Sequence, residues 1–240
     1  MRNQDLWASS KYVRTPKGLR ADEAHVRVRS RMIVDLIGEA YGNAIQAHAH
    51  GVLADVGCGK VPLYRHYEPL VDEVICIDWP GGTHGTTHLD IEADLNEGIP
   101  LGDAAVDTIL ATDVLEHLSD PDRFFASVAR VLGPGGTLIL GVPFLYWVHE
   151  APHDHHRYTR FNLEKRVADH GLELVSLSEY GGPIAVLFDL VGKTIPTGPA
   201  ARVFQSIARR AIQWGPVRRA DRRAQQEYPL GYCLVARKPA

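Results

Sequence analysis

The most informative residues are two glycines, Gly57 and Gly59, which follow a short apolar stretch in segment 52–60 (VLADVGCGK). Glycine accepts backbone conformations with positive φ and lacks the Cβ atom that would keep a ligand at a distance. An apolar strand that runs into such a loop binds nucleotides in many α/β proteins, at the carboxyl ends of the strands. The glycines alone are equally typical of a tight turn.

A second apolar stretch, residues 74–78 (VICID), ends in a carboxylate about twenty positions after the glycines. An acid at this place suits a ribose, because a carboxylate accepts hydrogen bonds from both hydroxyls of the diol. Two classes compete: a dinucleotide oxidoreductase and an S-adenosylmethionine-dependent methyltransferase. The dinucleotide fingerprint requires a third glycine where Pro62 stands. Asp55, two positions before the first glycine, favours the methyltransferase, because that cofactor carries an ammonium group.

The composition predicts an ordinary cytoplasmic globular protein. The chain has 240 residues, of which 45% are hydrophobic and 23% charged, enough for one sizeable α/β core. The first residues lack the apolar core of a signal peptide, and no apolar stretch approaches the ~20 residues that span a bilayer. The cysteines Cys58, Cys76 and Cys233 fit no zinc or disulfide spacing.

The formal charge is unevenly distributed along the chain. Counting Lys, Arg, Asp and Glu, residues 1–31 carry +5, residues 32–192 carry −16 and residues 193–240 carry +8. Basic ends on an acidic body disfavour nucleic acid as a partner of the whole chain. The basic ends are interpreted as packing on the acidic body, with contact to an anionic surface left open.

Six apolar segments are predicted as strands, and they alternate with helical or loop segments. They are 52–56, 74–78, 106–111, 137–142, 172–178 and 231–237. This alternation predicts a largely parallel sheet with helices on both faces. Residues 1–45 are predicted as an N-terminal arm, irregular over 1–19, and a helix from Asp22 to about Gly42. Residues 46–240 form the main domain, with a helical insertion at about 183–227.

Several segments resemble class I S-adenosylmethionine-dependent methyltransferases with a type 11-like domain. The pattern Asp-x-Gly-x-Gly at 55–59 resembles the glycine loop of that family. Residues 106–121 (VDTILATDVLEHLSDP) resemble its fourth strand and the following turn, in which Glu116 is interpreted as a charge near a helix N-terminus. Residues 120–132 predict a helix with Asp120 as N-cap and Pro121 at its first position. Residues 128–140 (VARVLGPGGTLIL) resemble the family's passage from this helix to the fifth strand.

The resemblance implies a doubly wound, Rossmann-like, seven-stranded and mostly parallel sheet with helices on both faces. It also implies an N-terminal helical arm, a helical insertion before the last strand, S-adenosylmethionine as cofactor and S-adenosylhomocysteine as product. Ten residues acquire roles by position. Asp55, Gly57, Cys58 and Gly59 would surround the methionine part, Asp78 would hold the ribose and Trp79 would lie along the adenine. Asp94 would accept from the adenine amino group with the Leu95 backbone beside it, and Thr112 and Asp113 would lie near the methyl.

A histidine-rich segment, 143–161, follows the predicted fifth strand. Its run His-Asp-x-x-Arg-Tyr-Thr at 153–159 resembles a methyltransferase subgroup that modifies glycans, lipids and small metabolites. An imidazole here suits removal of a proton from an acceptor hydroxyl. The candidate catalytic residues are His153 as leading base, His149 as second choice, Asp154, Arg157 and Tyr158. Metal binding by His149, His153, His155 and His156 with Glu150 and Asp154 is weighed and not adopted, because the spacing matches no closed site. A purely structural loop stays open.

The last basic segment predicts an amphipathic helix with an apolar face of Val203, Phe204, Ile207, Ala211 and Ile212. Four arginines follow it: Arg218, Arg219, Arg222 and Arg223. Packing on the domain, a homodimer and peripheral membrane contact through 202–223 are the alternatives. The predicted activity is methyl transfer to a small-molecule, glycan or lipid acceptor, at oxygen by preference. N-methylation, an NAD-dependent oxidoreductase and a non-catalytic cofactor-binding protein stay as alternatives.

Overall fold

Strands and helices alternate along most of the chain, as the apolar segments predict. The computed structural model describes residues 1–16, 18–81 and 85–240. Its strands are β1 (Tyr12–Thr15), β2 (Gly18–Ala21), β3 (Val52–Val56), β4 (Glu73–Asp78), β5 (Ile91–Glu92), β6 (Val106–Thr112), β7 (Leu132–Pro143), β8 (Glu173–Tyr180) and β9 (Gly231–Arg237). Its α-helices are α1 (Arg31–His48), α2 (Tyr64–Tyr67), α3 (Pro121–Val131), α4 (Arg160–Asp169), α5 (Pro183–Thr194), α6 (Pro199–Gln213) and α7 (Gly215–Arg223).

Seven strands form the central sheet, in the order β5-β4-β3-β6-β7-β9-β8. Strand β3 runs parallel to β4 and β6, and β6 runs parallel to β7, whereas β9 lies antiparallel between β7 and β8. Apolar side chains cover both faces of the parallel strands, which explains their nearly continuous apolar sequences. The predicted fold class is confirmed. The carboxyl ends of β3, β4, β6 and β7 meet at one edge, where α/β proteins bind ligands.

The N-terminal arm differs from the sequence prediction. Strands β1 and β2 form an antiparallel hairpin, where the sequence analysis predicts an irregular segment. The hairpin packs on α1 through Tyr12, Leu19 and Ala21, all of which are buried. Helix α1 begins at Arg31 rather than at Asp22, because the backbone after Asp22 forms a turn in which its carboxylate accepts from Ala24 N at 3.0 Å.

Helix α3 confirms its predicted start, since the Asp120 carboxylate accepts from Arg123 N at 3.0 Å. Three helices, α5, α6 and α7, lie between β8 and β9. The apolar face predicted for α6 is only partly buried: Val203 is 60% exposed and Ile207 is 59% exposed. The buried side contains Ala201, Gln205, Ala208 and Ile212 instead. Within the three described ranges, no helix combines the length and apolar character needed to cross a bilayer.

Candidate active site

The glycine loop leaves β3 at the ligand-binding edge of the sheet. Gly57 and Gly59 have φ values of 68° and 54°, in the left-handed region that glycine adopts without a steric penalty. A Cβ atom on Gly57 would lie 2.3 Å from Val114 Cγ2, so neighbouring protein atoms already fill the space beside it. The neighbouring Cys58 side chain is buried in the core. Only the backbone of this part of the loop is therefore presented to a ligand.

Asp55 is a buried carboxylate at the end of β3. Its Oδ2 atom accepts a hydrogen bond from the Tyr67 hydroxyl at 2.9 Å. The pKa of Asp55 is raised from 3.8 to about 7: burial is the largest cause, the hydrogen bond from Tyr67 opposes it, and the charge of Asp78 adds to it. A cationic ligand group beside Asp55 would favour the ionised carboxylate.

Asp78 ends β4 and holds the glycine loop against this strand. Gly59 N donates to Asp78 Oδ2 at 2.7 Å, and Trp79 N donates to Asp78 Oδ1 at 2.7 Å. Since a carboxylate has about four acceptor positions, each oxygen retains one for a diol. The Trp79 ring is 46% exposed and lies edge-on to the His153 ring, with 5.5 Å between the centroids.

Asp94 and Leu95 follow β5 and begin a single turn of 3-10 helix. Asp94 Oδ1 accepts from both the backbone N and the side-chain Nδ2 of Asn96, at 2.9 Å each. The Leu95 side chain is buried, which leaves its backbone as the part that can contact a ligand.

Asp113 lies directly after β6 in a left-handed conformation, with φ of 57°. Its Oδ1 accepts from the Tyr41 hydroxyl at 2.6 Å, and its Oδ2 lies 3.0 Å from Lys11 Nζ. Thr112, the last residue of β6, is half-buried. The structure thus brings a residue of the arm and a residue of α1 to the strand end that the resemblance places near the methyl group.

Three of the candidate catalytic residues hold the histidine-rich loop in place. Arg157 donates from both terminal nitrogens to the two oxygens of Asp154, and these bonds hold the pKa of Asp154 well below its usual range. Asp154 Oδ2 also accepts from His149 N at 2.9 Å. The Tyr158 hydroxyl donates to the Leu115 carbonyl from a buried position. These contacts order the loop.

His149 and His153 occupy different places. His149 lines a cavity of about 150 Å³ at the ends of β6 and β7, whereas the His153 side chain is exposed and packs near Trp79. Burial opposes protonation of His149, but the Glu116 carboxylate nearby raises its pKa above the ordinary value of histidine. Of the two histidines, His149, the second choice of the sequence analysis, is therefore the one that lines the cavity.

The sequence analysis missed Lys11, Tyr41 and His117 as site residues and assigned Glu116 only a helix-terminal charge. Glu116 is fully buried instead, and burial raises its pKa. Its backbone carbonyl accepts from His155 N and His156 N, which ties the histidine-rich loop to the turn after β6. The cavity contains Asp113, Glu116 and His117 after β6, Tyr146 and His149 after β7, and Lys11.

Residues 54–140 match the family model described as a methyltransferase domain. An uncharacterized methyltransferase of Mycobacterium sp. strain KMS is 31% identical over 97 residues, which cover 35% of this chain and 38% of the relative. A ubiquinone biosynthesis O-methyltransferase of Parvibaculum lavamentivorans is 28% identical over 107 residues, or 38% of this chain and 42% of the relative. The match to each curated relative thus spans less than half of its length.

Solved structures share the fold at low identity. An S-adenosylmethionine-dependent methyltransferase of Mesorhizobium loti superposes with a TM-score of 0.52 at 16% identity, over 85% of this chain and all of that chain. The [4+2]-cyclase SpnF superposes with a TM-score of 0.55 at 18% identity, over 93% of this chain and 86% of that chain. Residues 54–140 thus match a methyltransferase domain, and the fold is shared with S-adenosylmethionine-dependent methyltransferases.

Proposed function

We propose that the protein transfers the methyl group of S-adenosylmethionine to an oxygen of a small-molecule, glycan or lipid acceptor. The observation that carries the proposal is the cavity between the ends of β6 and β7, which lies on the same sheet edge as the glycine loop and Asp78. The two sites adjoin through Val114, which packs on Gly57 and follows the cavity residue Asp113.

The residues at the carboxyl ends of β3 and β4 fit S-adenosylmethionine. Asp55 is a buried acid that would hold the ammonium of the methionine part, and Asp78 has one acceptor position left on each oxygen for the ribose diol. Oδ2 of Asp94 would accept from the adenine amino group. When bound, this cofactor supplies a methyl group already activated on a sulfonium.

The chain's own contribution is to position the two reactants. The acceptor oxygen joins the methyl carbon, the electron pair of the broken bond stays on sulfur, and the hydroxyl proton is lost to water. His149, Tyr146 and Lys11 line the cavity and would contact the acceptor. Asp154, Arg157 and Tyr158 would position His149 by ordering its loop. An oxygen acceptor is preferred because the imidazoles at this edge can pass the hydroxyl proton on to water, and a nitrogen acceptor is the alternative outcome.

The cofactor half of the proposal is tested by calorimetry. Asp78→Ala should weaken S-adenosylmethionine binding by about 1.5–3 kcal/mol, the scale of hydrogen bonds to a charged group. Glu92→Ala, an exposed acid at the end of the neighbouring strand β5, is the matched control and should bind normally. NAD binding with no S-adenosylmethionine binding would contradict the proposal and favour the oxidoreductase.

The transfer half is tested by S-adenosylhomocysteine release in a screen of sugars, lipids and phenolic metabolites. With the acceptor identified, His149→Ala should lower kcat at least tenfold and leave cofactor affinity unchanged, because His149 lines the cavity. His153→Ala should have the smaller effect. Cofactor binding without turnover on any acceptor would favour a non-methylating protein, the alternative raised by the cyclase with the same fold.

We further propose that α5 and α6 bind an anionic membrane surface. Leu187, Leu190, Val203 and Ile207 are exposed on these two helices, which pack on each other through Phe188 and Phe204. Arg202, Arg210, Arg219 and Arg223 are exposed on α6 and α7. Apolar side chains beside arginines match the chemistry of an interface that contains acidic lipids.

A further inference from the structure

Three side chains converge on one wall of the cavity, where β6 and β7 end. Glu116 and His117 belong to a turn of 3-10 helix directly after β6, and His149 follows β7. Nε2 of His149 lies 3.7 Å from Oε1 of Glu116, and Nε2 of His117 lies 3.8 Å from the same oxygen. One nitrogen or oxygen from each of the three residues lies within 4.8 Å of the other two.

Glu116 is the unexplained member of this cluster. Its side chain is 0% exposed, and neither carboxylate oxygen has a hydrogen-bond partner among residues 1–16, 18–81 and 85–240. The distances to the two imidazoles exceed those of hydrogen bonds. Burial of a carboxylate without a partner is strongly unfavourable, so such groups are usually paired or bound to a metal ion. The position of Glu116 on the cavity wall favours a ligand there.

Both imidazoles are oriented by bonds on the far side of the ring. His117 Nδ1 lies 3.0 Å from the His153 carbonyl, an acceptor only, so this nitrogen carries the hydrogen. His149 Nδ1 lies 3.3 Å from both the Trp147 carbonyl and Asp154 Oδ2. In the neutral ring the Nε2 atoms then present lone pairs toward Glu116. Metal-binding histidines almost always donate their other N–H to a carbonyl or carboxylate in this way.

We infer that Glu116, His117 and His149 bind one divalent transition-metal ion at the wall of the acceptor cavity. Two imidazoles and one carboxylate suit Mn²⁺, Fe²⁺, Co²⁺ or Zn²⁺ and leave positions open, whereas Mg²⁺ and Ca²⁺ prefer oxygen ligands alone. Two atoms that each lie about 2.1 Å from one ion are about 3.0–3.4 Å apart. The observed 3.7 and 3.8 Å to Glu116 must shorten by a few tenths of an ångström, and the two imidazole nitrogens, which lie within 4.8 Å of each other, must approach by up to about 1.4–1.8 Å.

The metal site gives the proposed methyl transfer a way to activate the acceptor, and in this respect it rests on the proposed function. An ion with an open position binds a hydroxyl and lowers its pKa, so the proton leaves to water before the methyl arrives. Asp113 lines the same cavity, and its contact with Lys11 keeps the arm over this wall. The acceptor class would be a molecule that presents a hydroxyl to the ion.

The test titrates the whole protein, stripped with a chelator, with Mn²⁺ or Co²⁺ alone. Calorimetry and the paramagnetic resonance of free Mn²⁺ measure binding, and the visible absorption of Co²⁺ reports its ligands. We expect one ion per chain. Glu116→Gln and His149→Ala should each weaken binding at least ~10–100-fold. His155→Ala is the matched control, because this exposed imidazole of the same loop lies outside the cluster and should bind normally.

Absence of bound Mn²⁺ and Co²⁺, or wild-type affinity in both cluster variants, would overturn the metal site. Circular dichroism checks that each variant is folded. If Glu116→Gln does not fold, metal binding by His149→Ala decides the test, because His149 is only partly buried and its replacement disturbs the core less. Calorimetry with S-adenosylmethionine separates the two proposals. Cofactor binding without metal binding would overturn the metal site alone. If the protein binds the metal ion but transfers no methyl group to any acceptor, the metal site is supported and the proposed methyltransferase function is contradicted.

Discussion

Lys11 Nζ lies 3.0 Å from Asp113 Oδ2, across 102 positions of sequence. The other oxygen of Asp113 accepts from the Tyr41 hydroxyl at 2.6 Å. A cation of the arm and a phenol of α1 therefore fix one carboxylate at the end of β6. Because Lys11 and Asp113 both line the cavity, the arm forms part of the wall that an acceptor would contact.

The two partners of Asp113 should differ in their contributions to stability. Tyr41 is buried, so Tyr41→Phe should lower the free energy of unfolding by about 1.5–3 kcal/mol, the cost of a lost hydrogen bond to a charged group. Lys11 and Asp113 keep 33% and 25% of their side-chain exposure, so Lys11→Met should cost at most about 1 kcal/mol. Urea denaturation measures both, with Arg14→Met, an exposed cation of the same hairpin, as control. Equal losses would contradict this ranking.

Gly57→Ala should be more destabilising than its backbone conformation alone explains. A left-handed alanine costs about 1–2 kcal/mol. At Gly57 the new Cβ would also lie 2.3 Å from Val114 Cγ2, and forced overpacking typically adds about 1–3 kcal/mol. The steric conflict is with protein atoms rather than with the ligand, so the free energy of unfolding should fall without cofactor present.

Gly171 supplies the matched control for this prediction. Its φ of 70° is close to the 68° of Gly57, but a Cβ there would meet no atom of the described chain within 4 Å. Gly171→Ala should therefore show the cost of the backbone conformation alone. If the two alanine variants lose the same stability in urea, the proposed clash with Val114 does not occur.

The central sheet could be predicted because each strand can be recognised from its own short segment of sequence. Parallel strands buried on both faces require continuous apolar runs, and segments 52–56 and 231–237 coincide with β3 and β9. The same pattern predicts where Asp55 and Asp78 lie, since both stand at or next to strand ends, and their cofactor roles stay predictions. The start of α3 at Pro121 could also be predicted, because its N-cap, Asp120, is the residue directly before it.

The features that could not be predicted from the sequence depend on contacts between segments that are far apart along the chain. Nothing in the local pattern brings Lys11 or Tyr41 to Asp113, because only the packing of the arm and α1 creates that contact. Helix α6 shows the same limit. The apolar pattern places Ile207 on the apolar face of this helix but does not show what that face contacts. Ile207 is exposed and Gln205 is buried, because Gln205 accepts from Met32 N at 3.1 Å and donates to the carbonyl of Arg29.

Cofactor affinity should depend on pH through Asp55. With a pKa of about 7, this carboxyl is protonated in the free protein at lower pH. An ammonium group of the cofactor needs the ionised form, so binding should weaken up to about tenfold per pH unit below 7. Calorimetry between pH 5.5 and 7.5 measures this, below the range about 7.7–8.0 in which an α-amino group titrates. A dissociation constant independent of pH would contradict the assignment.

The raised pKa of Asp55 also determines how the stability of the folded protein changes with pH. The folded pKa of Asp55 is raised above its ordinary 3.8, so between about pH 4 and 7 the folded state holds a proton that the unfolded state has lost. The contribution of Asp55 to stability is therefore largest at low pH and declines as the pH rises through this window. Asp55→Asn keeps an acceptor for Tyr67 and should lack this decline in thermal unfolding experiments.

The exposed surface of α5 and α6 predicts binding to acidic vesicles. Val203 and Ile207 project from α6 one turn apart, and Leu187 and Leu190 project from α5. Two nearby arginines, Arg218 and Arg222, already contact Glu39, so Arg219 and Arg223 are the better candidates for lipid phosphates. The protein should sediment with phosphatidylglycerol vesicles at low salt and be released as salt screens the arginines.

Replacement of apolar and of basic residues separates the two contributions to this binding. Val203→Ser with Ile207→Ser should weaken sedimentation at every salt concentration, because burial of apolar area does not depend on screening. Arg219→Gln with Arg223→Gln should weaken it mainly at low salt, where the electrostatic attraction is strongest. If the wild-type protein stays in solution at low salt and instead doubles its mass with concentration in ultracentrifugation, the exposed residues serve a homodimer and the membrane proposal is wrong.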